Sequence, residues 1–194
     1  MLEPAVPLHL DTIKPLIRAG AAEGSWDPAL ATPGPKSDQL FRKLSYALEH
    51  GDLPQLDRAG RPITTRIGGW VFLADPGAQP TGFGLFKDFA DNGFELWLCA
   101  IDPSVRGRGL GRQMLTELLG TPHGLRAQLA RCARGTGGGQ RCAHILKSLE
   151  FETRRTTSRE EWLLHRRAPR AVVDLVSTMD LAAFEPGAGR STSV

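Results

Sequence analysis

The stretch ELWLCAIDPSVRGRGLGRQMLTELL, residues 95–119, joins an apolar run, a turn rich in glycine and arginine, and an amphipathic segment. The apolar run ends at Asp102-Pro103, which is a turn signal. Beyond the turn, apolar residues recur at helical spacing from Leu110 to Leu119. We therefore predict a strand, a turn and a helix, in that order.

The turn is a candidate phosphate site. Because Gly107, Gly109 and Gly111 lack Cβ atoms, an anion can approach the backbone amides closely, and the dipole of the following helix favours negative charge there. Three arginines add charge that suits phosphate oxygens: Arg106, Arg108 and Arg112. A solvated basic turn that caps an ordinary helix is the alternative interpretation of the same residues.

Two common nucleotide motifs are absent from the sequence. No GxxxxGK followed by Ser or Thr occurs, which excludes a Walker A loop. The dinucleotide pattern GxGxxG fails at Arg112, and in the second glycine cluster it fails at Gln140. Binding of a phosphate ligand at this turn therefore requires another motif.

Composition indicates a single domain without a membrane span. The chain has 194 residues, 41% of them hydrophobic, and a net charge of only +3. This charge is compatible with a phosphate-bearing ligand and too small to argue for nucleic acid by itself. Cys99, Cys132 and Cys142 show no metal-ligand spacing, so we expect reduced, packed thiols and no metal. Without a signal peptide or an 18-residue apolar span, a cytoplasmic protein is expected.

Periodicity and turn signals predict the other elements. Three antiparallel strands are predicted at 67–75, 81–89 and 93–102. Before them we predict a short strand near Leu8, a helix over 11–24 in which Pro15 is tolerable only in the first turn, and a helix over Ser37–His50. After the motif helix we predict a strand at 123–132, a helix at 140–149, a bent strand or hairpin at 151–166, a helix at 171–184 and a disordered end.

The pattern Arg106-x-x-Gly109-x-Gly111, between an apolar strand and an amphipathic helix, resembles the motif of the GNAT family of acetyl-CoA-dependent N-acyltransferases. The order of elements is similar too, over roughly Leu8 to His165. The resemblance implies an α+β, three-layer fold with a central mixed, mostly antiparallel twisted sheet flanked by helices. It places a GNAT-like acyltransferase domain at residues 1–168 and a C-terminal helix or disordered tail at 169–194.

The resemblance also implies how the coenzyme is held. The residues expected around the pyrophosphate of coenzyme A are Arg106, Gly107, Arg108, Gly109, Leu110, Gly111 and Arg112. Backbone groups of Cys99, Ala100 and Ile101 are expected to pair with the pantetheine arm. Because only backbone groups make those contacts, Cys99 is interpreted as a packed thiol and not as a nucleophile.

The candidate base is Glu95, because an alkylammonium must lose a proton before it attacks and the family often carries a glutamate at this place. Glu95 is predicted to lie on the same strand face as Cys99. Asp88 and Asp91 are alternatives, and a solvated strand-end carboxylate is the other interpretation. At the position of the family's tyrosine acid stands Leu146. The general acid therefore stays unassigned, with candidates nearby: Cys142, His144 and Ser148.

The implied function is transfer of an acetyl group from acetyl-CoA to a primary amine by direct attack in a ternary complex. A small-molecule or peptide amine is the expected acceptor. Glu23, Trp26 and Asp27 are candidates for a partly acidic lip near it, and a packed loop with two solvated carboxylates is the alternative interpretation. Two alternatives remain open: an acyl-CoA-binding sensor without turnover, and an RNA-binding protein or enzyme acting on aminoacyl-tRNA. Either a monomer or a homodimer fits the sequence.

Overall fold

A computed structural model describes residues 1–56, 59–90 and 92–178. Its helices are α1 Leu10–Ala22, α2 Pro35–His50, α3 Leu110–Leu119, α4 Gly137–Ser148 and α5 Arg170–Thr178. Its strands are β1 Leu2–Pro4, β2 Asp52–Leu56, β3 Pro62–Phe72, β4 Gly82–Phe89, β5 Gly93–Ile101, β6 Ala127–Ala133, β7 Phe151–Thr156 and β8 Glu160–His165.

The strands within these residues form one sheet in the order β1-β3-β4-β5-β6-β8-β7, and β2 pairs with β3 beside this path. β5 and β6 run parallel, and the other pairs are antiparallel. Helices cover both faces. The structure thus confirms the predicted α+β class with a central, mostly antiparallel sheet.

Two apolar layers hold the helices on the sheet. On one face, α3 and α4 pack Met114, Leu118 and Leu146 against sheet residues that include Phe86 and Leu96. On the other face, α1 and α2 do the same with a second set: Ile13, Ile17, Phe41 and Leu44 against Val71, Phe83 and Leu85. Burying such side chains is the main source of stability, about 1.5–3 kcal/mol for each large one.

The last described helix, α5, packs against the sheet at β6 and β8. Val172 and Val176 of α5 are fully buried and pack with Leu129, Trp162 and Leu164. The helix predicted over 171–184 is found as far as Thr178, and residues 179–194 lie outside the described part of the chain. The predicted domain boundary after residue 168 stays a prediction.

The structure differs from the sequence predictions of local structure in several places. Near Leu8 the chain forms a 3-10 turn, because Pro7 favours the start of a helix, and the strand lies earlier, at β1. Pro15 lies in the second turn of α1, where the carbonyl of the exposed residue Asp11 loses its amide partner.

Strand β2 was not predicted, because Pro54 argues against a strand in the middle of a sheet. β2 pairs only with β3, so it is an edge strand, where proline is tolerated. α4 begins at Gly137, three residues before its predicted start.

Candidate active site

The site begins where β5 and β6 separate. The two parallel strands pair only through Phe94–Leu96 on β5 and Ala127–Ala130 on β6. β5 continues to Ile101 and β6 to Ala133 without further pairing between them. Backbone groups on the two facing edges are therefore left without each other as partners, and a strand-like ligand could satisfy them.

A β-bulge at Trp97 sets which side chains face this opening. Leu85 pairs with Leu98 and Phe86 with Leu96, so Trp97 is the extra residue of β5. Because side chains alternate along a strand, the extra residue reverses the facing of everything beyond it. Glu95 and Cys99 consequently lie on opposite faces of the sheet, and the prediction that they share a face is wrong.

The turn before α3 presents amides without acceptors. In the described part of the chain, the backbone N–H groups of residues 107–111 donate no hydrogen bond to protein, while those of Arg112 and Gln113 both bond to the Gly109 carbonyl. Gly107 and Gly109 have φ of +82° and +78°, a conformation that favours glycine, and open space lies where a Cβ would point. The N-terminus of α3 is thus an anion-binding surface.

A second helix N-terminus faces the same opening. The side chain of Thr136 caps α4 by accepting a hydrogen bond from the Gly139 amide at 3.1 Å. A Cβ at Gly139 would lie 2.0 Å from the carbonyl oxygen of Ala133, so only glycine lets α4 rest directly on the end of β6. This contact places α4 as one wall of the opening.

Between these elements lies a cavity of about 340 Å³. Eight of the ten residues predicted to bind coenzyme line it: Cys99, Ala100, Ile101, Arg106, Gly107, Gly109, Gly111 and Arg112. Two do not, because Arg108 is exposed to solvent and Leu110 packs against the apolar core under α3. The sequence motif and the cavity therefore coincide.

Glu95 lies behind the cavity wall. Its side chain is 3% exposed, with Oε1 2.7 Å from Nε of Arg131 and Oε2 3.2 Å from Nζ of Lys87. Arg131 itself lines the cavity and also lies 3.8 Å from Glu160. The candidate base is thus a buried carboxylate with both oxygens in ion pairs, one of them with a cavity residue.

The alternative bases lie elsewhere. Asp88 is not a cavity residue and pairs with Arg66, with an O–N distance of 2.8 Å. Asp91 lies outside the described residues.

The candidates for a general acid differ in position. Leu146, at the family's tyrosine position, is fully buried and lines the cavity, and so does Cys142. His144 and Ser148 are exposed and do not line it; Ser148 donates to the Ile145 carbonyl at 2.6 Å. Tyr46 is far away on α2, stacked on His50.

One rim of the cavity comes from the segment after α1. Glu23 Oε1 lies 2.8 Å from a guanidinium nitrogen of Arg106, so the motif arginine is paired across the cavity mouth. Trp26 also lines the cavity and packs near Phe83. Asp27 does not: it pairs with Lys36 and caps the following 3-10 turn, and these hydrogen bonds lower its pKa below the usual value.

All three cysteines line the cavity. Sγ of Cys99 lies 3.8 Å from Sγ of Cys142, and Cys132 lines the cavity with them. Donation from Cys132 and Cys99 lowers the pKa of Cys142 well below that of an ordinary thiol. The same hydrogen bonds, together with burial, raise the pKa values of Cys99 and Cys132, which keep their protons. No group of described residues could hold a metal ion.

Part of the wall was not predicted from the sequence. These residues come from β6 and α4: Ala130, Arg131, Cys132, Ala133, Gly138, Gly139, Arg141 and Ile145. The available signal was the second glycine cluster, GTGGG, which follows a predicted strand and precedes a helix, just as the first cluster does. No helix among the described residues is long and apolar enough to cross a membrane.

Comparisons with known proteins agree with this geometry. The family model described as "Acetyltransferase (GNAT) family" matches residues 39–131. No curated protein sequence matches the chain.

Solved structures share the fold at low sequence identity. A PaiA N-acetyltransferase from Thermoplasma acidophilum in complex with coenzyme A is 14% identical, with a TM-score of 0.57 over 85% of this chain and 97% of that one. A phosphinothricin acetyltransferase from Sinorhizobium meliloti in complex with AcCoA is 18% identical, with a TM-score of 0.55 over 92% and 97%. The ribosomal-protein-S18-alanine N-acetyltransferase from Escherichia coli is 14% identical, with a TM-score of 0.52 over 84% and 89%. Residues 39–131 thus match the family model of GNAT acetyltransferases, and the described part of the chain shares its fold with solved acetyltransferases.

Proposed function

We propose that the protein is an acetyl-CoA-dependent N-acetyltransferase that transfers the acetyl group directly to a primary amine. One observation carries the proposal: the cavity joins the separated edges of β5 and β6 to the acceptor-free amides before α3. A ligand that fits must therefore combine an extended amide-bearing arm with a pyrophosphate, and coenzyme A has both parts.

Two parts of the chain would bind two parts of the coenzyme. Amides of residues 107–111 and the charges of Arg106 and Arg112 would hold the pyrophosphate. The facing edge of β5, from Trp97 to Ile101, would pair with the arm as a strand pairs with a strand. When bound, the coenzyme supplies the acetyl group as a thioester. An amide of β5 near the bulge is our candidate for stabilising the oxyanion that forms during attack.

Glu95 remains the proposed proton acceptor. Its position next to cavity-lining Leu96 and its hydrogen bond to cavity-lining Arg131 support the role. The ion pairs on both oxygens weigh against direct contact with an amine, so we propose that the proton reaches Glu95 through water. Leu146 cannot donate a proton, and we propose that solvent protonates the leaving thiolate.

The acceptor is proposed only as a class. Glu23 gives the cavity mouth a carboxylate that an amine can approach, beside the indole of Trp26. Two proteins with a similar fold are named for different acceptors. One is a phosphinothricin acetyltransferase, and the other is a ribosomal-protein-S18-alanine N-acetyltransferase. We propose a small-molecule or peptide amine.

Calorimetric titration tests the proposal first. We expect acetyl-CoA and coenzyme A to bind with similar affinity and ATP to bind much more weakly, because ATP lacks the arm that pairs with β5. Acetyl transfer to a panel of amines, followed by release of free thiol, then separates an enzyme from a sensor. Absence of coenzyme binding would exclude both the enzyme and the acyl-CoA sensor. Strongly salt-dependent RNA binding would favour the RNA-binding alternative.

A further inference from the structure

The thiol cluster in the cavity has no part in the proposed acetyl transfer. Its three members, Cys99, Cys132 and Cys142, come from β5, β6 and α4, and they are all the cysteines of the chain. They meet on the cavity wall, where Cys99 and Cys142 are half-buried and Cys132 is buried. Three separate elements thus bring every thiol of the protein to one cavity wall.

The cluster is built to support one thiolate. Cys142 lies in the middle of α4, its Sγ is 3.8 Å from Sγ of Cys99, and Cys132 lines the same cavity. Two S–H donors stabilise the charge on Cys142, which lowers its pKa, while the donors retain their protons. A thiolate is the nucleophilic form of cysteine, and this one opens onto a cavity that a small molecule can enter.

We propose that Cys142 is a modification site for small-molecule disulfides and that Cys99 resolves the adduct into an intramolecular disulfide. In the first step, the Cys142 thiolate attacks one sulfur of R–S–S–R; a Cys142–S–S–R bond forms and RS⁻ leaves. In the second, Cys99 gives up its proton and attacks the Cys142 sulfur, which expels the second RS⁻. Two protein thiols are oxidised, one small disulfide is reduced, and the protons lost by the two cysteines balance the two RSH products.

The geometry allows the second step with little movement. The two sulfurs are 3.8 Å apart, and a disulfide bond needs about 2.0 Å. Both side chains border the open cavity, so rotation of the sulfurs can close the gap without displacing a packed side chain between them. Cys132 is buried below them and is expected to act as a donor only.

The charge at the cavity mouth selects among disulfides. Arg106, Arg112 and Arg141 all line the cavity, so an anionic disulfide is attracted and a neutral one is not. Coenzyme A disulfide is the preferred reagent if the proposed function holds, since the same groups would bind its phosphates. The closed disulfide would fasten β5 to α4 across the coenzyme arm's path and reduce coenzyme binding; this consequence also rests on the proposed function.

The test uses the reduced full-length protein, treated separately with coenzyme A disulfide and with neutral 2-hydroxyethyl disulfide, and read by intact mass and peptide mapping. We expect the parent protein to lose two hydrogens and to yield a Cys99–Cys142 linkage. Cys99→Ser should instead accumulate a stable adduct on Cys142, and Cys142→Ser should react at least about tenfold more slowly. Cys132→Ser, which keeps a hydroxyl donor, is the matched control and should still react at Cys142.

Adduct formation first on Cys99 or Cys132 in the native protein would overturn the proposal, and so would reaction only after denaturation. Circular dichroism checks folding of the variants, and the order of modification in the parent protein decides the question even if a variant unfolds.

Treatment with the two different disulfides distinguishes a failure of this proposal from a failure of the proposed function. A Cys99–Cys142 linkage formed with the neutral disulfide in a protein that binds no coenzyme would support the thiol chemistry and remove the transferase. Coenzyme binding without modification of Cys142 by either reagent would support coenzyme binding by this cavity and would contradict the thiol chemistry.

Discussion

Nε of Arg131 lies 2.7 Å from Oε1 of Glu95, so the candidate base is bonded to a residue that lines the cavity although it does not line the cavity itself. Lys87 engages the second carboxylate oxygen at 3.2 Å. Breaking a buried ion pair by removing one partner leaves an uncompensated charge, at a cost of about 3–5 kcal/mol. Any change at Glu95 therefore acts on both stability and the cavity wall, and its test must separate the two.

Glu95→Gln should lower kcat by about 100-fold or more if the carboxylate accepts the proton, while coenzyme affinity changes little. The pH profile of kcat/KM should lose its acidic limb in the variant. Glu160→Gln is the matched control, because Glu160 lies 3.8 Å from the same arginine but is more exposed. Steady-state kinetics across pH, with denaturant unfolding alongside, makes the measurement. A lower stability with an unchanged pH profile would leave Glu95 a positioning residue for Arg131.

Gly109→Ala should weaken coenzyme binding by about tenfold or more, because the methyl group occupies the open space before the amides and φ is +78°. Gly77→Ala is the matched control, since Gly77 has φ of +74° and no atom near its Cβ position, but lies in the turn between β3 and β4. Both variants carry similar backbone strain, of about 1–2 kcal/mol. Calorimetry with coenzyme A should distinguish them, and equal affinities would contradict the anion-binding role of the turn.

Glu23→Gln should tighten coenzyme binding about two- to fivefold at low salt. The substitution frees Arg106 from its ion pair and removes a negative charge from the mouth. The gain should shrink as salt increases, because exposed charges are screened. Glu49→Gln on the exposed side of α2 serves as the charge-matched control. Weaker binding by the Glu23 variant would indicate that this carboxylate itself contacts the ligand.

Gly139→Ala should destabilise the protein by about 1–3 kcal/mol or more, because its Cβ would lie 2.0 Å from the Ala133 carbonyl and would push α4 off β6. Gly34→Ala, at the start of α2, has open space at the same atom and should be nearly neutral. Urea unfolding of both variants measures the difference. If the two variants have the same midpoint, the close contact between α4 and β6 is not rigid.

Stability should fall as the pH drops from about 7.5 to about 5.5. Burial, with a smaller contribution from Arg126 and Arg66, lowers the pKa of His123, and burial also lowers that of His165. Because the folded state favours the neutral rings, the unfolded chain binds protons first as the pH falls. The free energy of unfolding therefore decreases below about pH 6.5. His123→Phe should reduce this loss in urea unfolding at the two pH values; an unchanged loss would contradict the role of His123.

Local signals in the sequence sufficed for the order of elements from β3 onward and for the glycine turn. Periodicity predicted β3–β5, α3 and the β7–β8 hairpin, because each depends on residues close together in the chain. The bulge at Trp97 was not predictable, since it exists only relative to the register of β4. The meeting of Cys99, Cys132 and Cys142 depends in the same way on the topology, which brings β5, β6 and α4 together.

Where β5 separates from β6, residues from both faces of the sheet line the cavity. Gly20 and Trp26 border it from the α1 face, and Cys142 and Ile145 border it from the α4 face. We expect one substrate to reach the gap between the strands from each face, so that both are bound before either product leaves. Initial-rate plots for the two substrates should accordingly give intersecting lines, the signature of sequential kinetics, rather than the parallel lines of an exchange through a modified enzyme.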